Sequence, residues 1–240
     1  MMISMRFLCL SDIHGHAAAL SAVLATAERR GYGKILVAGD ICFPGPEPLG
    51  VWRRLSQLNA LCVQGVGDRA IATVDIEELR PRDDYEAARL GRLCEVRKEL
   101  GDVILRRLAK LPRRIRQPLG GDRELLLVHG SPLDPMEPIT HDMDDVTIAH
   151  LLADDPADVV LCGGSHVPFD RVVARQGDDL PSRTRVINLG SVGEAPAGAE
   201  IGGAAATTNW APLFAHATFV ESKDSGIDVE QFVVPLGRAA

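Results

Sequence analysis

The sequence lacks an excess of positive charge. Among its 240 residues, 26 are Lys or Arg and 33 are Asp or Glu, so the net charge is −7 at neutral pH. Nonspecific binding to a nucleic-acid backbone normally relies on a positive field. We therefore expect no specific nucleic-acid partner.

The sequence also lacks a long apolar segment near its start. The first ten residues carry one charge, on Arg6, and an apolar run of four residues. A run of this length is too short for the core of a signal peptide and far too short to span a bilayer. We therefore expect a cytoplasmic protein that does not associate with membranes.

Closely spaced cysteines are missing as well. The five cysteines, an odd number, are far apart and form no C-x-x-C motif, which argues against a disulfide framework and against a structural zinc knuckle. With 46% apolar and 25% charged residues, the composition is that of an ordinary globular protein. The length favours one domain over residues 1–240.

Strands and helices alternate along the first quarter of the chain. The apolar patterns predict the order strand, helix, strand, helix, strand over residues 6–10, 16–30, 34–38, 49–58 and 60–63. This alternation favours parallel strands joined by right-handed crossovers. In such sheets the functional groups collect at the carboxyl ends of the strands.

The remainder of the chain adds a charged helical stretch and further strands. We expect the helical stretch, residues 83–111, to break near Gly101 and to cap the site. A hairpin is predicted around Gly120 and Gly121, and residues 195–208, rich in Ala and Gly, are expected to form a loose surface loop. The other predicted elements are a helix over 142–152 and strands over 158–162, 171–175, 184–187, 214–221 and 229–234.

Polar clusters follow four of the predicted strands, at residues 11–15, 39–40, 129–132 and 163–166. Asp and His side chains bind Zn, Mn or Fe, and several of them at one sheet edge would build a metal site. Taken singly, an aspartate in such a cluster is better explained as a helix cap or turn residue, and a histidine as a hydrogen-bonded residue at a strand end. The four clusters together predict a metal site.

The order and spacing of these clusters resemble the calcineurin-like metallophosphoesterases, in particular their small bacterial branch. Residues 167–171 and 188–193 also resemble segments of that branch, so the resemblance covers most of the chain. The residues that fall on the family's metal-ligand positions are Asp12, His14, Asp40, His129 and His166.

The resemblance implies both a fold and an activity. The implied fold is of the α/β class, a four-layer α-β-β-α sandwich of two mixed sheets with the metal site at the strand ends. The implied activity is hydrolysis of a phosphate-ester substrate by metal-activated water, with a divalent Mn, Zn or Fe ion as cofactor.

The sequence departs from the family pattern at three positions. Val66 and Gly67 stand where the family has Asn and His, and Gly164 stands where it has another His. By resemblance, the first metal site keeps all four of its ligands, whereas the second keeps only Asp40 and His129. A catalytic metal normally has about three protein ligands, so we expect one firmly bound ion, a weak or absent second ion, and slow hydrolysis or none.

Three further residues are weaker candidates for the site. His16 is a candidate for contacting phosphate or donating a proton, or lies at a helix cap. Asp68 keeps an acidic position of the family but is at least as well explained as a helix cap. Ser191 is a candidate for substrate binding within the segment 188–193.

These observations leave two functions open. The leading prediction is a metal-dependent phosphoesterase with an intact first site and a degraded second site. The alternative is a catalytically weakened or inactive family member that acts as a phosphate-sensing or protein-binding module. The sequence does not decide between a monomer and a homo-oligomer.

Overall fold

The computed structural model describes residues 5–177, 180–195, 212–223 and 226–237. The strands in this part are β1 (Arg6–Leu10), β2 (Lys34–Val37), β3 (Leu61–Cys62), β4 (Arg114–Pro118), β5 (Glu124–Val128), β6 (Val159–Cys162), β7 (Phe169–Ala174), β8 (Arg183–Asn188), β9 (Phe214–Lys223) and β10 (Gly226–Pro235). The helices are α1 (Ala17–Glu28), α2 (Pro48–Gln57), α3 (Val66–Thr73), α4 (Asp84–Ala109) and α5 (Asp145–Leu151).

The strands form two mixed sheets of five strands each, in the orders β10-β9-β1-β2-β3 and β4-β5-β6-β8-β7. In the first sheet β1, β2 and β3 are parallel and β9 runs antiparallel to β1. In the second sheet β5, β6 and β8 are parallel, and β4 and β7 are antiparallel edge strands. The predicted mixed sheets are confirmed, as are the parallel strands at the start of the chain.

The two sheets pack face to face, and helices cover their outer faces. Side chains alternate along a strand, so Phe7 and Cys9 of β1 point toward the second sheet and pack with Leu125 and Leu161. Leu8 and Leu10 lie on the opposite face of β1 and pack with the buried residues of α1, α2 and α4. Helix α5 packs on the outer face of the second sheet. This arrangement confirms the predicted four-layer sandwich.

Helix α4 contains the break that the sequence predicts. Gly101 has φ 70° and ψ 165°, outside the helical region, and it separates two helical halves. Glycine adopts this conformation without the steric penalty that other residues incur. Asp83 is the N-cap residue of the helix, and its side chain accepts a hydrogen bond from the Glu86 amide at 2.8 Å.

Helix α3 is absent from the sequence-based prediction. It is short, and two glycines, Gly65 and Gly67, lie at its start, where a helix-propensity argument gives little signal. The helix is instead stabilised by its cap, because the Asp68 carboxylate accepts a hydrogen bond from the Gly65 amide. The expected loop over residues 195–208 lies almost entirely outside the described residues. Among the described helices, none is both long and apolar enough to cross a membrane.

Candidate metal centre

The candidate site lies where the carboxyl ends of β1, β2, β5 and β6 meet. Backbone hydrogen bonds join the loops that follow these strands. The Asp12 amide donates to the Gly39 carbonyl at 3.1 Å, and the Gly163 amide donates to the His129 carbonyl at 2.8 Å. The Gly164 amide donates to Asp12 Oδ2 at 2.9 Å and thereby connects the two sheets. Residues that are far apart in the sequence are therefore held at one edge.

The backbone at this edge adopts a conformation that most residues avoid. Six non-glycine residues in the described part of the chain have positive φ, and four of them are predicted metal ligands. Left-handed backbone turns the chain sharply at the end of a strand, and at functional sites it is maintained by the surrounding structure. The four ligands are Asp12 (φ 53°), His14 (φ 50°), Asp40 (φ 51°) and His166 (φ 61°).

Asp12, His14 and His166 form a compact group of potential ligands. Asp12 Oδ1 lies 3.7 Å from His14 Nε2 and 3.4 Å from His166 Nε2, and the two Nε2 atoms are 3.1 Å apart. Two donors that bind one ion at about 2.1 Å are separated by at most about 4.2 Å. All three separations satisfy this limit, so the group has the dimensions of a single metal site.

The carboxylate of Asp12 has one oxygen satisfied and one free. Oδ2 accepts hydrogen bonds from Ser11 Oγ at 2.6 Å and from the Gly164 amide. Within the described structure, Oδ1 is buried and accepts no hydrogen bond. A buried carboxylate oxygen without a partner is unfavourable, whereas a cation between Asp12 and the two histidines would satisfy it. The residues present therefore fit a divalent metal ion.

The pKa values of Asp12 and His166 depend on each other. Burial raises the pKa of Asp12, but its contact with His166 and the charges of the neighbouring histidines outweigh burial and lower it. Burial lowers the pKa of His166, but the contact with Asp12 and the negative charge of that carboxylate outweigh burial and raise the pKa of His166 to about 9. In the absence of a cation, a protonated His166 therefore balances the charge of Asp12.

Two of the histidines are oriented by backbone carbonyls. His14 Nδ1 donates to the Phe43 carbonyl at 2.5 Å, and His129 Nδ1 donates to the Ala38 carbonyl at 2.6 Å. A proton on Nδ1 leaves Nε2 of the neutral ring with a free lone pair, and metal-bound histidines in proteins are usually fixed in this way. Both Nε2 atoms face the carboxylates, so the rings are pre-oriented for metal binding.

Asp40 lies between His14 and His129. Its Oδ2 atom is 4.0 Å from His14 Nε2 and 3.7 Å from His129 Nε2, while Oδ1 accepts from the Gly67 amide at 2.7 Å. Asp40, His129 and Asp12 form a second group of potential ligands. Burial lowers the pKa of His129, but the charges of Asp40 and Asp12 raise it on balance. The second group shares Asp12 with the first and adds two ligands of its own.

Two of the three departures from the family pattern, Gly67 and Gly164, border this second group. An added Cβ at Gly67 would lie 3.3 Å from Asp40 Oδ1, and one at Gly164 would lie 3.5 Å from His129 Nε2. Side chains at these positions would therefore be directed toward the group, and here there are none. Val66, at the start of α3, is 38% exposed and has no atom that could bind a metal.

The structure places His16 beside the first group. It occupies the N-cap position of α1, but its side chain makes no capping hydrogen bond with the described residues. Its ring packs against two glycines that leave room for it. A Cβ atom added at Gly193 would lie 2.6 Å from His16 Cδ2, and a Cβ atom added at Gly45 would lie 3.0 Å from the same atom. Burial, together with the charge of His14, lowers the pKa of His16.

Asp68 and Ser191 form hydrogen bonds within the protein. The Asp68 carboxylate accepts from the Ile41 amide at 2.9 Å and from the Gly65 amide at 3.1 Å, and it caps α3. The buried Ser191 hydroxyl donates to the Asp12 carbonyl at 2.8 Å and accepts from the Glu194 amide at 2.7 Å. Both side chains thus hold the loops of the site in place.

Two residues near the site, Glu194 and His216, are not among those predicted from the sequence. The Oε2 atom of Glu194 lies 3.6 Å from His14 Nε2 and 3.9 Å from His166 Nδ1. The Nδ1 atom of His216 accepts a hydrogen bond from the Ser191 amide at 3.3 Å. Burial, and then the charge of His166, lower the pKa of His216 to about 4. In the sequence, the feature that could have indicated Glu194 is its position directly after the segment 188–193.

Comparisons with known proteins agree with this fold. The chain is 29% identical over 197 residues, 77% of its length, to an uncharacterized protein of Methanocaldococcus jannaschii, of which the match covers 75%. A hypothetical protein of Pyrococcus horikoshii superposes with a TM-score of 0.73 at 23% identity, over 98% of this chain and 89% of that one. A metallophosphoesterase of Sphaerobacter thermophilus superposes with a TM-score of 0.69 at 25% identity, over 96% and 88% of the two chains.

The family itself is established by the sequence. The model of the calcineurin-like phosphoesterase superfamily domain matches residues 5–209, which include all five predicted metal ligands. This match confirms the resemblance drawn from the motifs. The chain therefore belongs to the calcineurin-like phosphoesterase superfamily and is a hydrolase of the phosphoesterase type.

Proposed function

We propose that the protein is a metal-dependent phosphoesterase that uses one firmly bound divalent ion. The observation that carries the proposal is the buried Oδ1 atom of Asp12, which accepts no hydrogen bond in the described structure and faces two imidazole nitrogens. The proposed ligands of this ion are Asp12, His14, Asp40 and His166.

The second metal position is proposed to be weak or empty at ordinary metal concentrations. By resemblance, the second position keeps His129 and the shared Asp40, and Asp12, which lies within reach of both groups, is proposed to bind the first ion. Because Val66 and Gly164 supply no ligand atom, His129 is the one remaining ligand proposed for the second position alone, and we expect it to retain an ion only with help from substrate phosphate or water. His129 would then contact the phosphate or a labile second ion.

The chemistry follows from these residues. A bound Mn, Zn or Fe ion would polarise a phosphoryl oxygen and lower the pKa of a bound water molecule. His14 and His129 keep fixed orientations through their carbonyl partners, so the site needs little rearrangement to bind metal and phosphate. Gly67 faces Asp40 without a side chain, so this position supplies no proton to a leaving group. We therefore propose slow turnover.

The first half of α4 is proposed to cap the site within a single domain. The Arg92 guanidinium donates to the Pro44 carbonyl at 2.8 Å and to the Gly45 carbonyl. The Arg89 guanidinium lies 5.3 Å from the centre of the Phe43 ring. Since the Phe43 carbonyl orients His14, the helix rests on the loop that positions a proposed ligand, and we infer that it influences which phosphate esters enter.

We also propose that the protein works in a reducing compartment, the cytoplasm. All five cysteines are unpaired. Burial raises the pKa of Cys162 to about 12 and raises that of Cys42 well above its usual range. Both thiols hydrogen-bond to backbone carbonyls, so they serve as buried packing groups that are protonated at neutral pH.

The test combines metal content with activity. Purified protein is analysed for bound elements with and without added Mn, and its hydrolysis of an aryl phosphate is measured in parallel. The proposal expects one ion per chain and slow hydrolysis that the Asp12→Asn variant lacks. Two tightly bound ions would contradict the one-ion site. A bound ion without any hydrolysis would instead favour a phosphate-sensing or protein-binding module.

A further inference from the structure

Glu194 places a third carboxylate beside the first group of ligands. Its Oε2 atom is 3.6 Å from His14 Nε2, which is within the separation of about 4.2 Å that two ligands of one ion permit. The side chain is 26% exposed, so it lies at the mouth of the site rather than in the core. No ligand position of the family pattern found in the sequence accounts for this carboxylate.

The backbone of Glu194 is held firmly against the loop that carries Asp12. The Val192 amide donates to the Ser11 carbonyl and the Gly193 amide donates to the Asp12 carbonyl, both at 3.0 Å. The Glu194 amide donates to Ser191 Oγ. Only glycine fits at position 193, because an added Cβ would lie 2.1 Å from the carbonyl oxygen of Ile13. The turn therefore fixes the Glu194 backbone beside the first group, with the carboxylate in contact with His14 and His166.

We propose that Glu194 is a further carboxylate ligand of the ion held by Asp12, His14 and His166. This inference rests on the proposed metal-dependent function and adds a ligand to it. In the structure the three other residues form the compact group and Glu194 stands next to it. Three rotatable side-chain bonds let the carboxylate turn from the mouth of the site toward the ion.

The chemical reason is the small number of ligands at this centre. The first group offers one carboxylate and two imidazoles, with Asp40 Oδ2 at the edge of reach, 4.0 Å from His14 Nε2. Mn and Fe ions accept five or six ligands and favour carboxylate oxygen. An anionic ligand attached to a rigid turn would increase the affinity of the first position, in a chain whose second position has lost two donors.

The experiment is a calorimetric titration of the metal-free protein with Mn in the absence of substrate. The wild type is compared with Glu194→Gln, which keeps the size of the side chain but removes its charge. Glu78→Gln is the matched control, because Glu78 is an exposed glutamate outside the candidate site. Thermal unfolding of each metal-free variant checks the fold, and Glu194→Ala, which also removes the carboxylate, replaces Glu194→Gln if that variant does not fold.

We expect Glu194→Gln to bind Mn about tenfold more weakly than the wild type, or weaker still. Removing a residue that only orients a metal ligand typically has an effect of at least this size, and removing a ligand should have no smaller effect. The Glu78→Gln control should bind Mn as the wild type does. The visible absorption of bound Co is the second readout, since replacing a ligand changes the coordination of the ion and a distant charge does not.

Three outcomes would overturn the inference. One is an unchanged Mn affinity in Glu194→Gln, and another is an equal loss in Glu78→Gln. The third is a weakened affinity with an unchanged Co spectrum, which would mean that Glu194 acts only through its charge. A wild type that binds neither Mn nor Zn nor Fe would overturn the proposed function as well, whereas the first three outcomes leave that function intact.

Discussion

Gly164 faces His129 so closely that an added Cβ would lie 3.5 Å from the His129 Nε2 atom. Position 164 therefore points into the second group of ligands although it carries no side chain. Gly164 has φ +73°, a conformation that costs a side-chain-bearing residue energy. Histidine is among the residues found there more often, and His14 and His166 already adopt it in this protein.

Restoring the two missing donors should restore the second ion. We expect the double variant Val66→Asn/Gly164→His to bind two Mn ions per chain and to hydrolyse an aryl phosphate faster than the wild type, because two ions clamp the phosphoryl oxygens better than one. Elemental analysis and initial rates measure the two effects. The single variant Val66→Asn, which lacks the histidine, is the control. A double variant that still binds one ion would contradict the assignment of these positions.

Metal binding should stabilise the folded protein through Asp12. Any ligand that binds only the native state stabilises it, by about 2.7 kcal/mol at a concentration 100 times its dissociation constant. We expect Mn to raise the Tm of the wild type and a chelator to reverse the increase. In Asp12→Asn the increase should be absent, because the side chain that faces the two histidines loses its negative charge and one of its two oxygen atoms. An equal Mn-dependent increase in both proteins would place the ion elsewhere.

The affinity for metal should fall as the pH falls. The pKa of His166 in the metal-free protein is raised to about 9, so the ring is protonated at neutral pH, whereas a metal ligand must be neutral. Below pH 9 the ion must displace this proton, and the apparent association constant should decrease by up to about tenfold per pH unit. Mn titrations between about pH 6.5 and 8.5 would reveal this slope. A constant affinity across that range would refute the prediction.

Removing the Asp68 side chain should destabilise the protein without removing any of the proposed metal ligands. In Asp68→Ala the buried Ile41 and Gly65 amides lose their acceptor, and we expect a loss of roughly 2 kcal/mol or more in the free energy of unfolding. Urea denaturation of the metal-free protein measures this loss. If Asp68→Ala abolished hydrolysis while leaving stability unchanged, Asp68 would have a chemical role instead.

The sequence predicted the fold, and the meeting of the Asp and His clusters at one edge, for a physical reason. Strands with apolar patterns of period two and motifs at their carboxyl ends are local features, and parallel topology brings such ends together. Asp12 and His166 are separated by more than 150 residues, yet each directly follows or lies near the end of a buried strand. The break at Gly101 was also predictable, because only glycine tolerates that backbone so readily.

What the sequence could not predict depends on contacts between distant segments. Helix α3 is specified by the hydrogen bond from Gly65 to Asp68 and by packing on α4 rather than by an apolar pattern. The approach of Glu194 to His14 depends on a turn held by Ser191 and Gly193. In the same turn the Ser191 hydroxyl forms its hydrogen bonds to backbone groups of Asp12 and Glu194. No periodicity in the sequence predicts this turn.

The left-handed backbone of the proposed ligands has an energetic consequence. At Asp12, His14, Asp40 and His166 the observed φ is a conformation that a side-chain-bearing residue adopts at a cost of about 1 kcal/mol or more. The surrounding structure offsets this strain, because the Asp12 carboxylate accepts a hydrogen bond from the Gly164 amide and the Asp40 carboxylate accepts one from the Gly67 amide. Part of the stability of the fold is therefore used to hold four strained residues at one edge of the two sheets.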